Sequence, residues 1–264
     1  MKTASSSTST TRSPNPIVAE SYATSRIRIE MNVPDRPIQL TPYRYRGVVI
    51  ASAVLLLWTV SLGWGFFLPL DWLHPFTYVH VLVQTHLFTG LFITAHDAMH
   101  GTVAPHQPRL NRFYGQISLL LFACNSWSRL LPAHHAHHRQ PASENDPDFG
   151  PPSFLRWFFR FITYYVRWYQ ILVMAILFNL ASIWIPKPNM VAFYIVPSVL
   201  SLLQLFYFGT YWPHRGEHDH NNIHRARSQP KNHFLAFISC YFFGYHHEHH
   251  DQPAVPWWRL PYVR

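Results

Sequence analysis

The chain has 264 residues and a formal charge of +9, from 21 Lys+Arg against 12 Asp+Glu. Charged residues make up only 12% and aromatics 17%, a charged share about half that of soluble globular domains. This composition argues against an ordinary soluble domain and, with so many aromatics, against a disordered chain; nineteen His then require a chemical explanation.

The N-terminal stretch MKTASSSTSTTRSPNP lacks the apolar core of a secretory signal. Its Ser, Thr and Pro content predicts a disordered cytoplasmic tail over residues 1–40, ahead of a single domain at 41–264. Four apolar stretches follow as predicted membrane spans. Residues 47–70 are uncharged; 75–95 carry His80 and His86 but no formal charge; 164–185 hold only Arg167; 190–212 are again uncharged. Each has about 20 residues, enough at 1.5 Å per residue to cross a hydrocarbon core of roughly 30 Å. Asp71 and Lys187 lie in short connections, so two tight helical hairpins are expected. Two shorter apolar stretches, 113–127 and 234–245, are expected at the interface or packed on the other helices.

Twenty of the 21 basic residues fall on one side of these spans and Lys187 alone on the other. The positive-inside rule then places both termini and the long central loop in the cytoplasm, in an inner, cytoplasmic or thylakoid-type membrane. The fold class expected is an all-α integral membrane protein: four transmembrane helices, short interfacial helices and a cytoplasmic histidine-rich cap. The basic excess is accounted for by topology and anionic lipid, and no dense basic patch speaks for nucleic acid.

The histidines cluster on that same side. They are His96 and His100; His134, His135, His137 and His138; His214, His218, His220 and His224; and His246, His247, His249 and His250. Residues spaced i, i+3 and i+4 share a helix face, so His96/His100, His134/His137/His138 and His246/His249/His250 each aim two or three imidazoles at one point. His74, His80, His86, His106 and His233 are isolated and read as packing or hydrogen-bonding residues. One zinc takes three or four protein ligands, and His-Asp-x-x-His alone resembles a zincin motif. The aligned imidazoles are too many for one zinc and suit two metals, either non-haem iron or zinc. Cys124 and Cys240 form no Cys-x-x-Cys and are too few for an iron–sulfur cluster. At the mouth of an apolar bundle, oxygen chemistry on an unactivated C–H bond fits a lipid-held substrate better than hydrolysis, and such chemistry belongs to a cofactor.

HDAMHG (96–101), His134-x-x-His137-His138 and His246-x-x-His249-His250 resemble the three histidine boxes of the membrane fatty-acid desaturase/hydroxylase superfamily. TYWPHR (210–215) and FGYHHEHHDQPAVPWWRLP (243–261) resemble bacterial β-carotene ketolases, and the resemblance runs from about residue 42 to the C-terminus. It implies a di-iron oxygenase with O2 as cosubstrate that turns the C4 methylene of a β-ionone ring into a ketone. Two rounds of hydroxylation would give a geminal diol that loses water. The implied substrate is β-carotene, giving echinenone and canthaxanthin, or zeaxanthin on the way to astaxanthin.

Carried over by position, the implied metal ligands are His96, His100, His134, His137, His138, His214, His246, His249 and His250. His214, His218 or both complete the set. His135 and His247 fall at interior positions and should point away. Asp97, Asp146 and Asp148 are the candidate carboxylates that orient ligand imidazoles, the alternatives being a polar helix face and a turn. The chain has no dinucleotide, iron–sulfur or extra haem motif, so a separate donor such as reduced ferredoxin is implied, met by Arg139, Arg225, Arg227 and Lys231. Leu203, Phe206 and Tyr207 are expected to line the carotenoid channel. The alternatives are a carotenoid 3-hydroxylase or lipid hydroxylase/desaturase on the same scaffold, a zinc intramembrane hydrolase, and a His-rich metal transporter, which would carry its ligands at mid-span.

Overall fold

The computed structural model describes residues 45–264, so the tail predicted over 1–40, with its basic residues, lies outside the described residues. All regular structure in the described part is helical, and no strand occurs among the described residues.

Helix α1, Arg46–Phe67, buries Gly47, Ala51, Val54, Trp58, Leu62 and Gly65, a stripe at helical spacing, and leaves apolar residues such as Leu56, Val60 and Trp64 exposed. Helix α2, Pro75–Met99, is the central element. Pro75 opens it, the His74 ring accepts the Phe76 amide at 3.2 Å, and its last seven residues, Ile93 to Met99, are all buried. It runs one turn beyond the predicted span and so carries His96 as part of the helix. The α1 start lies against the segment after α2: a Cβ on Gly47 would meet the Val103 carbonyl at 2.5 Å. The two helices are therefore antiparallel.

Helix α3, Pro108–Ala123, packs along α2 through Phe122 against Phe88 and Phe92, and Asn111 Nδ2 donates to the Ala98 carbonyl at 2.7 Å. The stretch expected as one apolar segment over 113–127 breaks at Cys124, which takes a left-handed conformation (φ 53°). Helix α4, Trp127–Arg139, starts afresh after it.

The predicted span over 164–185 takes a different form. Helix α5, Phe154–Tyr165, and helix α6, Trp168–Ala181, meet at 79°. Val166 and Arg167 are both extended, and the Gln170 side chain draws the α6 start to α3 by donating to Asn125 Oδ1 at 3.1 Å and to the Ala123 carbonyl. At 14 residues α6 covers about 21 Å. The long helix α7, Lys187–His214, contains two π-helical turns, Val191–Ile195 and Tyr207–Tyr211. Asn189 Nδ2 bonds the Gly65 and Leu68 carbonyls at 2.9 and 2.7 Å, so α7 starts where α1 ends and runs parallel to α2. Between α2 and α7 the hydroxyls of Thr89 and Ser201 lie 2.8 Å apart, and Thr89 donates to Gln204 Oε1 at 2.5 Å, the kind of interhelical polar bond used in membranes. Helices α8, His233–Cys240, and α9, His246–Asp251, and a 3₁₀ turn at Trp257–Tyr262 complete the chain. By length and apolarity α1, α2 and α7 qualify as membrane spans, and the α5–α6 pair raises the number to at most four. The protein is an integral membrane protein built of helices.

Candidate metal centre

The C-terminal ends of α2, α4 and α7, together with α9, converge at the end of the bundle remote from Lys187. Two groups of imidazoles form there. One comprises His96, His100, His134, His138 and His249; the other His137, His214, His246 and His250. Within each, the ligand-capable atoms all lie within 4.8 Å of one another. Each triplet thus divides instead of aiming at one point. His134 and His138, four apart on α4, face the first group while His137 faces the second; His246 and His250 face the second while His249 faces the first. The i, i+4 pair shares a face, and the third residue, rotated by 60–100° around the helix, turns to the other group. The groups adjoin, with the His138 and His250 rings stacked 4.2 Å apart.

The nitrogen separations fit metal ions. Nε2 atoms stand 2.7 Å apart in His100/His134, 3.0 Å in His138/His249 and His214/His246, and 3.1 Å in His246/His250 and His137/His250. Two imidazole nitrogens bound at about 2.0–2.1 Å and at right angles on one ion are about 3 Å apart. His137 and His214 each use Nδ1 as a donor to a protein acceptor, which leaves the Nε2 lone pair pointing inward. His96 Nε2 is buried with no protein partner. A cation satisfies such a set; hydrogen bonds among neutral rings do not, since each ring carries one proton.

The protonation states agree with that fit. Burial above all, and then neighbouring imidazoles, hold His134, His138, His246, His249 and His250 well below the ordinary histidine value, and His100 is pushed down to about 3. These rings are neutral at ordinary pH, the form that binds metal. His137 differs: burial opposes its charged form, but the Asp146 hydrogen bond and the Asp148 carboxylate raise its pKa.

Outer hydrogen bonds orient two rings of the second group. Asp146 accepts His137 Nδ1 at 3.0 Å on both oxygens, and also the amides of Ala142 and Asp148 at 2.8 Å, so it shapes the turn and orients the ring at once. The Arg225 carbonyl accepts His214 Nδ1 at 2.8 Å. Asp148 accepts the Tyr165 hydroxyl, lies 3.9 Å from His137 Nδ1, and is pushed up to about 6, chiefly by burial. Asp97 is 3.8 Å from His96 Nδ1, too far for a hydrogen bond; its carboxylate instead accepts the Trp257 amide at 3.2 Å and ties the C-terminal segment to α2.

His218 joins neither group. The α7 helix ends at His214 and Arg215 is extended, so the i, i+4 relation to His218 has no helix to act through. His135 donates to the Met99 carbonyl at 3.3 Å, and the His247 ring lies 5.6 Å from that of His224; both are outside the groups. The isolated histidines pack and bond locally: His80 to the Ser61 carbonyl at 3.0 Å, His86 stacked on Tyr241 at 4.2 Å, His233 to the Tyr245 hydroxyl at 3.0 Å.

Two supports were not singled out from sequence. Glu248, between the box histidines, receives the Ser228 hydroxyl and Arg264 Nη1 (2.9 Å); its place two residues from His246 turns it away from both histidine groups. The Arg225 carbonyl has no sequence signal at all, since any residue offers one.

A cavity of about 660 Å³ opens below the histidines, with His96 and His134 of the first group and His137 and His246 of the second in its wall. Its depth is apolar, with Phe92, Phe122, Phe161 and Leu205 among the lining residues. Its lining from α7 includes Ser198, Leu202, Leu205, Gly209 and Thr210, and none of the expected Leu203, Phe206 and Tyr207. Phe206 is fully buried outside that lining, 5.1–5.5 Å from the rings of Phe154, Phe158 and Phe161. The π turn at Tyr207–Tyr211 takes up one additional residue, so upstream of it the face leading to His214 is carried by residues one position earlier.

The fatty acid desaturase family model matches residues 156–264. Among curated proteins, the β-carotene ketolase of Paracoccus sp. (strain PC1) is 42% identical over 219 residues, covering 81% of this chain and 90% of that protein. The β-carotene ketolase of Paracoccus sp. (strain N81106 / MBIC 01143) is 43% identical over 72% of this chain and 81% of its own length. The zeaxanthin 4-ketolase of Chlamydomonas reinhardtii is 36% identical over 83% of this chain and 53% of its own.

Proposed function

The chain belongs to the β-carotene ketolase family, and from that premise we infer that it oxidises the C4 methylene of carotenoid β-ionone rings to a ketone, with β-carotene as substrate and zeaxanthin as a second. It is a carotenoid ketolase, an oxidoreductase. The observation that carries this reading to the site is the apolar cavity walled by histidines of both groups: a hydrocarbon ring that enters it meets both.

The proposed ligands are the nine histidines of the two groups, each group holding one iron. Two irons with O2 supply the chemistry that side chains lack, oxidation of an unactivated C–H bond. The residues of this chain do the rest. Asp146 and the Arg225 carbonyl keep His137 and His214 in the tautomer that presents Nε2. Asp97 ties the 257–262 turn to α2 beside His96. Phe92, Phe122 and Phe161 exclude water and restrict the ring to orientations that present C4 to the histidines. A ferredoxin-type donor supplies electrons from outside, with exposed Arg139, Arg225 and Lys231 meeting its acidic face; Arg227 is half-buried, its guanidinium bonded to the Arg215 and Glu217 carbonyls.

The site is proposed to face the cytoplasm, because the sequence assigns twenty of its 21 basic residues to the histidine side of the predicted spans. In that arrangement the α5–α6 pair is the broken fourth crossing in a bilayer and 41–264 the catalytic domain. Two metal groups do not suit a zinc hydrolase with one ion, and ligands at helix ends do not suit a mid-span transporter. The test is pigment analysis of cells that make β-carotene and this chain. Echinenone and canthaxanthin are expected; accumulation of 3-hydroxylated products alone would make the protein a carotenoid hydroxylase.

A further inference from the structure

Of the four rings in the second group, only His137 and His214 have a protein partner on Nδ1; those of His246 and His250 are buried without one. Both anchored rings lead to one residue. The Arg225 carbonyl accepts His214 Nδ1 directly, at 2.8 Å. The Arg225 guanidinium donates to the Ala142 carbonyl at 3.0 Å; the Ala142 amide donates to Asp146 Oδ2 at 2.8 Å; and Asp146 accepts His137 Nδ1 at 3.0 Å. Arg225 and Ala142 both have positive φ, 42° and 52°, a region that residues other than glycine adopt only when surrounding bonds hold them there.

We propose that Arg225 is a positioning residue for the second histidine group, setting through its carbonyl and its guanidinium the orientation of two ligands that come from different segments, α4 and α7. The proposal rests on the reading that these histidines hold a metal. The turn that presents Arg225 is secured without its side chain. The Arg225 amide bonds the Asn222 carbonyl at 3.0 Å, Asn222 Nδ2 bonds the Ala226 carbonyl at 2.7 Å, and the Arg227 amide bonds the Pro213 carbonyl at 3.1 Å. Removing the guanidinium therefore leaves the His214 contact in place and releases the Ala142–Asp146 arm alone, so His137 is the ring that loosens.

The experiment measures bound iron per chain, and its release to a chelator, in the purified full-length protein. The wild type is expected to hold two irons. In Arg225→Ala one of them should leave roughly 10–100-fold faster, the usual cost of losing a group that orients a ligand, while the other leaves at the wild-type rate. Arg225→Lys, which keeps a donor for Ala142, should lie between, and it decides the matter if the alanine variant does not fold. Arg227→Ala, whose guanidinium serves other carbonyls, should release both irons as wild type does. Asp146→Asn should copy Arg225→Ala, and the double variant should be no worse than the more severe single, because both cut one relay. Wild-type release from Arg225→Ala and Arg225→Lys, or single effects that multiply in the double variant, would overturn the proposal and leave the metal reading standing. A wild-type protein without bound metal would overturn both.

Discussion

His137 and His138 are consecutive in the chain yet belong to different histidine groups, their rings 5.8 Å apart with planes at 82°. A helix turns about 100° per residue, so one peptide bond on α4 suffices to serve both groups. The same holds for His249 and His250 on α9. Each of these boxes is therefore shared between sites.

That sharing predicts separable losses. His138→Ala should weaken metal at the first group and His137→Ala at the second, each leaving about one iron per chain on elemental analysis. Ketone formation should fall at least ~100-fold in both, since losing even an orienting partner costs 10–100-fold. His135→Ala and His247→Ala, whose rings lie outside both groups, should keep most of the activity. Loss of both irons from either of the first two variants would show that the groups are not independent.

The cavity gives a test of substrate placement. Leu202→Phe narrows it from α7 and should change the ratio of mono- to diketone while iron content stays at two per chain. Phe206→Ala, which removes packing against Phe154 and Phe158 of α5 without itself lining the cavity, should lower stability by about 3–5 kcal/mol and leave that ratio unchanged. Chromatography of pigments and thermal unfolding in detergent read the two effects. The reverse pattern would put the channel wall on the Phe206 face.

Gly209 makes the close approach that seats the third box. A Cβ there would fall 2.2 Å from the Phe243 ring, and Phe243 in turn lies 4.7 Å from His96 and 5.0 Å from His246. Gly209→Ala should therefore destabilise by about 1–3 kcal/mol, the usual range for overpacking, and lower iron retention at both groups. Adding Phe243→Leu should recover part of each. An unchanged melting temperature and iron content in the single variant would mean that α7 moves aside freely.

Orientation is testable by cysteine labelling in intact cells, in a chain with Cys124 and Cys240 replaced by Ser. A cysteine at Ser143 should react only after the membrane is opened, and one at Pro188 in sealed cells. Reaction of both from the same side would remove the proposed sidedness of the site.

Much of this protein follows from sequence by itself. The uncharged stretches around α1 and α7 and the apolar run of α2 are long enough to be helices in a membrane whatever they pack against, because in hydrocarbon the backbone must satisfy its own hydrogen bonds. The i, i+3, i+4 spacings place histidines on neighbouring faces of short helices, since the period of the α-helix is local and does not wait for tertiary contacts. What the spacing cannot contain is the direction in which each face points. The division of the triplets between two groups depends on how α4 and α9 dock against the ends of α2 and α7. His218 drops out because α7 stops at His214, and the cavity face moves by one residue because of a single π turn. The break at Val166–Arg167 goes with Gln170 reaching Ala123 at the end of α3, 47 residues away in the chain. Each of these is a non-local choice: an apolar segment or a histidine pair is compatible with several dockings, and only the packing of the whole bundle selects among them.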